Sequence, residues 1–129
     1  MREHRLTYRV PYADVDRMGV VYYANYLVFF ERGRTELLRA CGLPYRELEE
    51  RGILLPVIEA VCRYLKPARY DDELDIVTRI SERRGVRIMM QCEVWRNAEL
   101  LAEGHTWHAA TSAEGKPCRI PDDLAALLP

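Results

Sequence analysis

Two carboxylates and a glycine, Asp14, Asp16 and Gly19, stand in the run Tyr12-Ala13-Asp14-Val15-Asp16-Arg17-Met18-Gly19-Val20-Val21-Tyr22-Tyr23-Ala24-Asn25-Tyr26, directly before a long amphipathic stretch. That stretch predicts a helix. A helix start presents unpaired backbone N–H groups and a partial positive charge. An ionised acid beside such donors is half of a site for attack on a carbonyl. The acid attacks or activates water, and the N–H groups receive the developing oxyanion. Proximity to the helix end also favours the charged form of the acid. Read as structure alone, the same acids shape a loop and cap a helix, and Gly19 permits a turn.

The elements that must hold this run in place follow from periodicity. Leu6, Tyr8 and Val10 alternate with Thr7 and Arg9, a half-buried strand that Pro11 ends. A helix is expected from about Tyr23 to Cys41, because Tyr26, Phe30, Gly33, Leu37 and Ala40 recur every three or four residues while Arg32, Glu36 and Arg39 face away. Gly42-Leu43-Pro44 stops it. Gly33 costs roughly 1 kcal/mol in a helix interior, so its presence points to a strand crossing closely. Pro44 to Arg51 suits a short second helix. Beyond Leu54 the period becomes two, with strands expected over Val57–Leu65, Leu74–Ile80, Val86–Trp95 and Leu101–Thr111. A small terminal helix follows Pro121. Short connections imply antiparallel pairing. The expected class is α+β, a five-stranded antiparallel sheet whose apolar face is covered by one long helix, with edges that favour association of two copies.

The 129 residues read as one domain spanning 1–129, with 49% hydrophobic and 30% charged residues, enough for a packed core. A net charge of −1 and a pI near 6.3 argue against bulk nucleic-acid binding. No segment approaches the ~18 apolar residues of a membrane span. The start, Met1 to Arg5, has no apolar core of the signal-peptide kind. Cys41, Cys62, Cys92 and Cys118 are scattered without a CxxC spacing, as expected of reduced thiols in a cytoplasmic protein.

Other candidates divide into weak and conditional ones. His105 and His108 are three apart on a strand and point to opposite faces, so they are not expected to share a metal. Asp71-Asp72 suits a turn better than a metal site. Glu31 lies about eight residues beyond Tyr23, roughly 12 Å along a helix axis, too far to share a carbonyl with Asp16. It reads as structural, a pairing partner for Arg34. Arg83, Arg84 and Arg87 flank Gly85, where they form either a solvated hairpin or a clamp for phosphates.

Four pieces of this sequence together resemble the hotdog-fold acyl-CoA thioesterases of the 4-hydroxybenzoyl-CoA thioesterase-like branch. They are the Tyr12–Tyr26 run, Phe30-Glu31-x-x-Arg34, Lys66-Pro67-Ala68-Arg69-Tyr70-Asp71-Asp72-Glu73-Leu74-Asp75-Ile76, and Ser81-x-Arg83-Arg84, in family order over most of the chain. The resemblance implies a sheet wrapped around a long helix, and subunits joined sheet to sheet as homodimers or homotetramers with sites between them. It makes Asp16 the catalytic carboxylate and the Tyr23 backbone N–H the carbonyl-polarising donor. It also makes Gly19, Val20 and Tyr26 substrate contacts, with Arg83 and Arg84 on the nucleotide of coenzyme A. Asp14 more plausibly orders the loop. The related branch that accompanies the Tol-Pal cell-envelope system usually has a histidine where this chain has Tyr23, so that histidine's role does not carry over. The expected reaction is hydrolysis of an acyl-CoA thioester to a free acid and coenzyme A. No cofactor is needed, and acyl-carrier protein is a possible alternative carrier. A different class of reading is a non-catalytic acyl-CoA or acyl-carrier-protein binding module. A dehydratase of this fold would pair its acid with a histidine, and none occurs from Arg5 to Gly104.

Overall fold

The alternation of Leu6 and Tyr8 with polar neighbours produces β1 (Glu3–Arg9) in a computed structural model that describes residues 3–129. Met1 and Arg2, with which the leader reading began, lie outside the described residues. A short 3-10 turn at Tyr12–Asp14 leads to α1 (Asn25–Ala40), α2 (Tyr45–Glu50), β2 (Val57–Tyr64), β3 (Glu73–Arg84), β4 (Arg87–Arg96), β5 (Glu99–Ala109) and α3 (Asp122–Ala125). The five strands form one antiparallel sheet in the order β1-β3-β4-β5-β2. This is the hotdog arrangement. Beside the long α1 the described residues form two short α-helices, at both places the sequence suggested.

α1 lies on the sheet's apolar face and divides the core. Its first half sets Tyr26, Phe29 and Phe30 against Leu74, Ile76, Val94 and Leu101. Its second half sets Leu37 and Leu38 against Ile80, Ile88 and Met90, with α2 and α3 closing that end through Leu48 and Leu124. Gly33 marks the crossing. A Cβ there would lie 2.3 Å from Thr78 Oγ1 and 2.9 Å from Ile76 Cγ2, so β3 does pass against the helix backbone.

Three local expectations are corrected. The helix begins at Asn25 rather than Tyr23, because residues 23–24 form a turn whose bonds run three residues back. Ala40 is exposed, because Leu37 and Leu38 turn the end of the helix onto the core, and Phe29 and Leu38 complete the buried stripe instead. The last strand stops at Ala109, with Thr111 held only by isolated bridges to Leu54 and Pro117.

The pairing registers place residues on rows across the sheet. Tyr64 pairs with Ala102, Ala102 with Val94 and Val94 with Ile76. At the other end Val57 pairs with His108, His108 with Ile88 and Ile88 with Arg83. The start of α1 belongs to the first end, and the Gly85 hairpin to the second.

Candidate active site

The acidic run folds as a small closed loop. Val15 and Val21 bridge its base, the Asp16 N–H donates to the Val20 carbonyl at 2.9 Å, and the Gly19 N–H donates to the Asp16 carbonyl at 3.0 Å. Gly19 sits at φ +79°, a left-handed conformation that a side chain would strain. One Asp16 oxygen, Oδ1, accepts the Met18 N–H at 2.9 Å in an Asx turn. The other has no hydrogen-bond partner among the described residues. Asp16 is half-buried and lines a cleft.

Asp14 has a different role. Its carboxylate accepts the Tyr8 hydroxyl, and its backbone oxygen accepts the Tyr22 N–H at 2.9 Å and Asn25 Nδ2 at 3.0 Å. Tyr8 is pushed up to about 12, first by burial and then by this bond to a carboxylate. Asp14 thus ties strand, loop and helix together, as the sequence reading assigned it.

At the start of α1 the N–H groups of Asn25, Tyr26 and Leu27 are taken by the carbonyls of Tyr22, Tyr23 and Ala24. The backbone N–H of Tyr23 has no acceptor among the described residues. The Ala24 N–H likewise has no acceptor among the described residues, so the free donors belong to the turn before the helix. The Tyr23 carbonyl is held from across the sheet by the Tyr64 hydroxyl at 3.0 Å.

Asp16, Val20, Tyr23 and Tyr26 line one cleft of about 280 Å³ with Met18, Val21, Tyr64, Leu65, Lys66 and Pro67. Tyr26 is a wall rather than a free hydroxyl, since it is buried and its oxygen accepts the Ala68 N–H at 3.3 Å. The cleft floor is fixed by the Val21 N–H to the Ala68 carbonyl at 2.8 Å and by a Val20–Arg69 bridge. Arg96 anchors that segment through Asp72 at 2.7 Å and the Pro67 carbonyl at 3.3 Å. Asp72 also accepts the Arg69 N–H at 2.8 Å, so the acidic pair is a turn, with Asp71 at φ +68°.

Sequence reasoning did not single out Tyr64 or Leu65. Tyr64 packs edge-on against both Tyr23 and Tyr26, with centroids 6.4 and 5.1 Å apart. Its signal was available: an aromatic at a strand end, adjoining the Lys66-Pro67-Ala68-Arg69 segment. Phe29 is core, packed on Tyr8 and Tyr26.

Arg83 and Arg84 are not in this cleft. β3 is twelve residues long, roughly 36 Å, and they stand at its far end. Both are exposed, Arg83 donating to the Gly85 carbonyl at 3.1 Å and Arg84 pairing with Glu82 at 2.8 Å and covering the Trp107 ring at 5.2 Å. Glu31 is exposed, and the expected pairing with Arg34 is absent among the described residues. The two side chains line a separate pocket instead. His105 faces outward against Glu59 at 3.2 Å, whereas His108 is buried, its Nδ1 donating to the Leu55 carbonyl at 2.9 Å and its Nε2 accepting from Thr106 at 2.8 Å. No helix among the described residues is long and apolar enough to cross a membrane.

Comparison with known proteins agrees with the fold. The family model of the thioesterase-like superfamily matches residues 10–128. The chain is 40% identical over 121 residues to the acyl-CoA thioester hydrolase YbgC of Shigella flexneri, covering 92% of this chain and 90% of that one. The solved structure of the protein TT1821 from Thermus thermophilus superposes with a TM-score of 0.90 at 34% identity, over 97% of each chain. A mutant 4-hydroxybenzoyl CoA thioesterase complexed with 4-hydroxybenzoyl CoA superposes with a TM-score of 0.88 at 25% identity, over 98% of this chain and 99% of that one. With the family match over residues 10–128, the identity to an acyl-CoA thioester hydrolase and the hotdog sheet together, this chain belongs to the thioesterase-like superfamily and is a thioester hydrolase.

Proposed function

We propose that this protein hydrolyses acyl-CoA thioesters at the cleft of Asp16 and Tyr23. The carrying observation is that one cleft is lined by Asp16, whose carboxylate keeps an oxygen without a hydrogen-bond partner among the described residues, and by Tyr23, whose backbone N–H has no acceptor among them. The N–H of Tyr23 receives the thioester carbonyl oxygen as it gains negative charge, a contact typically worth about 3 kcal/mol of barrier. The Asp16 carboxylate draws a proton from water, whose oxygen bonds to the carbonyl carbon. Collapse breaks the C–S bond, and the leaving thiolate takes the proton back from Asp16, giving free acid and coenzyme A. Direct attack by Asp16 would form a mixed anhydride that water then cleaves to the same products. Neither route calls for a cofactor beyond the coenzyme A of the substrate. Val20, Tyr26 and Tyr64 wall the acyl side, and Gly19 closes the loop so that the backbone approaches the substrate.

The nucleotide end falls to Arg83 and Arg84 of a second copy. β2 is an edge strand, and Val57 and Ile58 on it are 44% and 47% exposed. Antiparallel pairing of two β2 strands would set the Val57 end of one copy beside the Tyr64 end of the other. The partner's Arg83 row would then approach the Asp16 cleft, consistent with a homodimer or a homotetramer built from it. The reading places one thioesterase domain over 1–129 in the cytoplasm, with acyl-carrier protein as the alternative carrier.

The test is thiol release from acetyl-, hexanoyl-, palmitoyl- and benzoyl-CoA by wild type and Asp16→Asn. Asparagine keeps the oxygen that accepts the Met18 N–H, so the loop should stay folded while the charge is lost. Turnover should fall at least a thousandfold. Undiminished hydrolysis by the variant would sink the assignment of Asp16. Thioester protection without turnover on either carrier would favour a binding module. A monomer by sedimentation at micromolar concentration would remove the shared site.

A further inference from the structure

Beneath the second half of α1 lies a pocket of about 250 Å³ that does not include Asp16 or Tyr23. Arg34 enters it from the helix. Arg34 is half-buried, and burial pulls its pKa below the usual arginine range. Among the described residues it has neither an ion-pair partner nor a hydrogen-bond acceptor. A cation partly withdrawn from water without a partner carries a desolvation cost that an anion in the pocket offsets. The pocket also contains the Tyr45 hydroxyl. That oxygen already accepts the Leu55 N–H at 3.0 Å, which leaves its own proton to donate. His108 adds no competing charge, because burial lowers it to about 4 and both its nitrogens are engaged. Leu38, Leu55 and Met90 supply apolar wall. The exposed carboxylate of Glu31 lines the same pocket, and its charge partly offsets the effect of burial on Arg34 and opposes an incoming anion.

We infer that this pocket binds a compact organic carboxylate, its anionic end on Arg34 and Tyr45 and its apolar body against Leu38, Leu55 and Met90. Two sources share that chemistry: a free carboxylic acid, or a second carboxylate at the far end of an acyl group. The second rests on the proposed hydrolase reading and on β2 pairing, which would bring this pocket of one copy towards the Asp16 cleft of the other. The first rests on neither.

The experiment follows the side-chain resonances of Arg34 in the full-length protein as benzoate or hexanoate is added, with benzamide as the uncharged control. Saturable shifts with both carboxylates and none with benzamide are expected. Arg34→Met should weaken carboxylate binding at least tenfold, and Glu31→Gln should tighten it severalfold. The wild-type titration decides even if the Arg34 variant fails to fold. No saturable shift, equal shifts with benzamide, or unchanged affinity in a folded Arg34→Met would overturn the inference. Kinetics separate the sources. A selective loss of glutaryl-CoA over butyryl-CoA turnover in Arg34→Met identifies the acyl-borne carboxylate, and unchanged turnover of both in that variant, with saturable benzoate binding by wild type, identifies the free acid. Loss of all turnover in wild type alongside intact benzoate binding would count against the hydrolase reading alone.

Discussion

The hydroxyl of Tyr64, at the end of β2, donates to the main-chain carbonyl of Tyr23 at 3.0 Å, across 41 residues of sequence. The bond pins the turn that leaves the Tyr23 N–H free, and burial pushes the Tyr64 phenol up to about 12, so it remains a donor over the physiological range. Tyr64→Phe keeps the edge-on ring packing and removes only this bond. Its stability cost should be about 1 kcal/mol, while kcat for a preferred acyl-CoA should drop roughly tenfold through a looser oxyanion donor. Equal kcat in the two proteins would show that the turn is held without Tyr64.

Gly33→Ala pits helix propensity against packing. Alanine gains roughly 1 kcal/mol over glycine in a helix interior, yet its methyl would lie 2.3 Å from the buried Thr78 Oγ1. Overpacking of that severity typically exceeds the propensity gain. A net loss of about 1–2 kcal/mol is expected in urea unfolding, and a stabilised variant would mean that β3 can move away.

His108 makes stability depend on pH. Its folded value, about 4, lies below the ordinary value of 6.5 because burial opposes the charged ring. Below about pH 6.5 the unfolded chain binds the proton more readily than the folded one, so stability present above that pH is lost as pH falls towards 4. The contribution is on the order of 3 kcal/mol. Thermal unfolding followed from pH 7 to pH 4 should show this slope, and His108→Gln should flatten it. A variant as steep as wild type would assign the slope to other groups.

The arginines of the Gly85 hairpin are expected to act on the nucleotide and not on the chemistry. Combining Arg83→Ala with Arg84→Ala should raise KM for acyl-CoA about tenfold at low salt with kcat unchanged, and the difference should shrink as salt screens the charges. Acyl-pantetheine, which lacks the nucleotide, should react alike with both proteins. A kcat effect on acyl-pantetheine would place these residues in another role.

Much of this architecture was legible along the chain because its causes are local. Alternation in β1 and β3, the three-and-four spacing in α1, and the glycines of the turns follow from backbone geometry within a few residues. Gly33 predicted a close strand, and the strand is there. The loop from Tyr12 to Tyr26 was recognisable because Asp16, Gly19 and Val20 bond mainly to one another. What lay beyond reach depended on partners distant in sequence. The free N–H of Tyr23 is set by which carbonyls the first turn of α1 consumes, and Tyr64 reaches it only because β2 occupies the sheet edge in one register. The same registers put Arg83 and Arg84 at the opposite end from Asp16, and turned the expected Glu31–Arg34 pair into two walls of a pocket. The sequence by itself determined the elements, their order and the residues able to do chemistry. Only the tertiary structure decided which of those residues meet, because register and helix placement are selected by the packing of the whole apolar face and not by any segment alone.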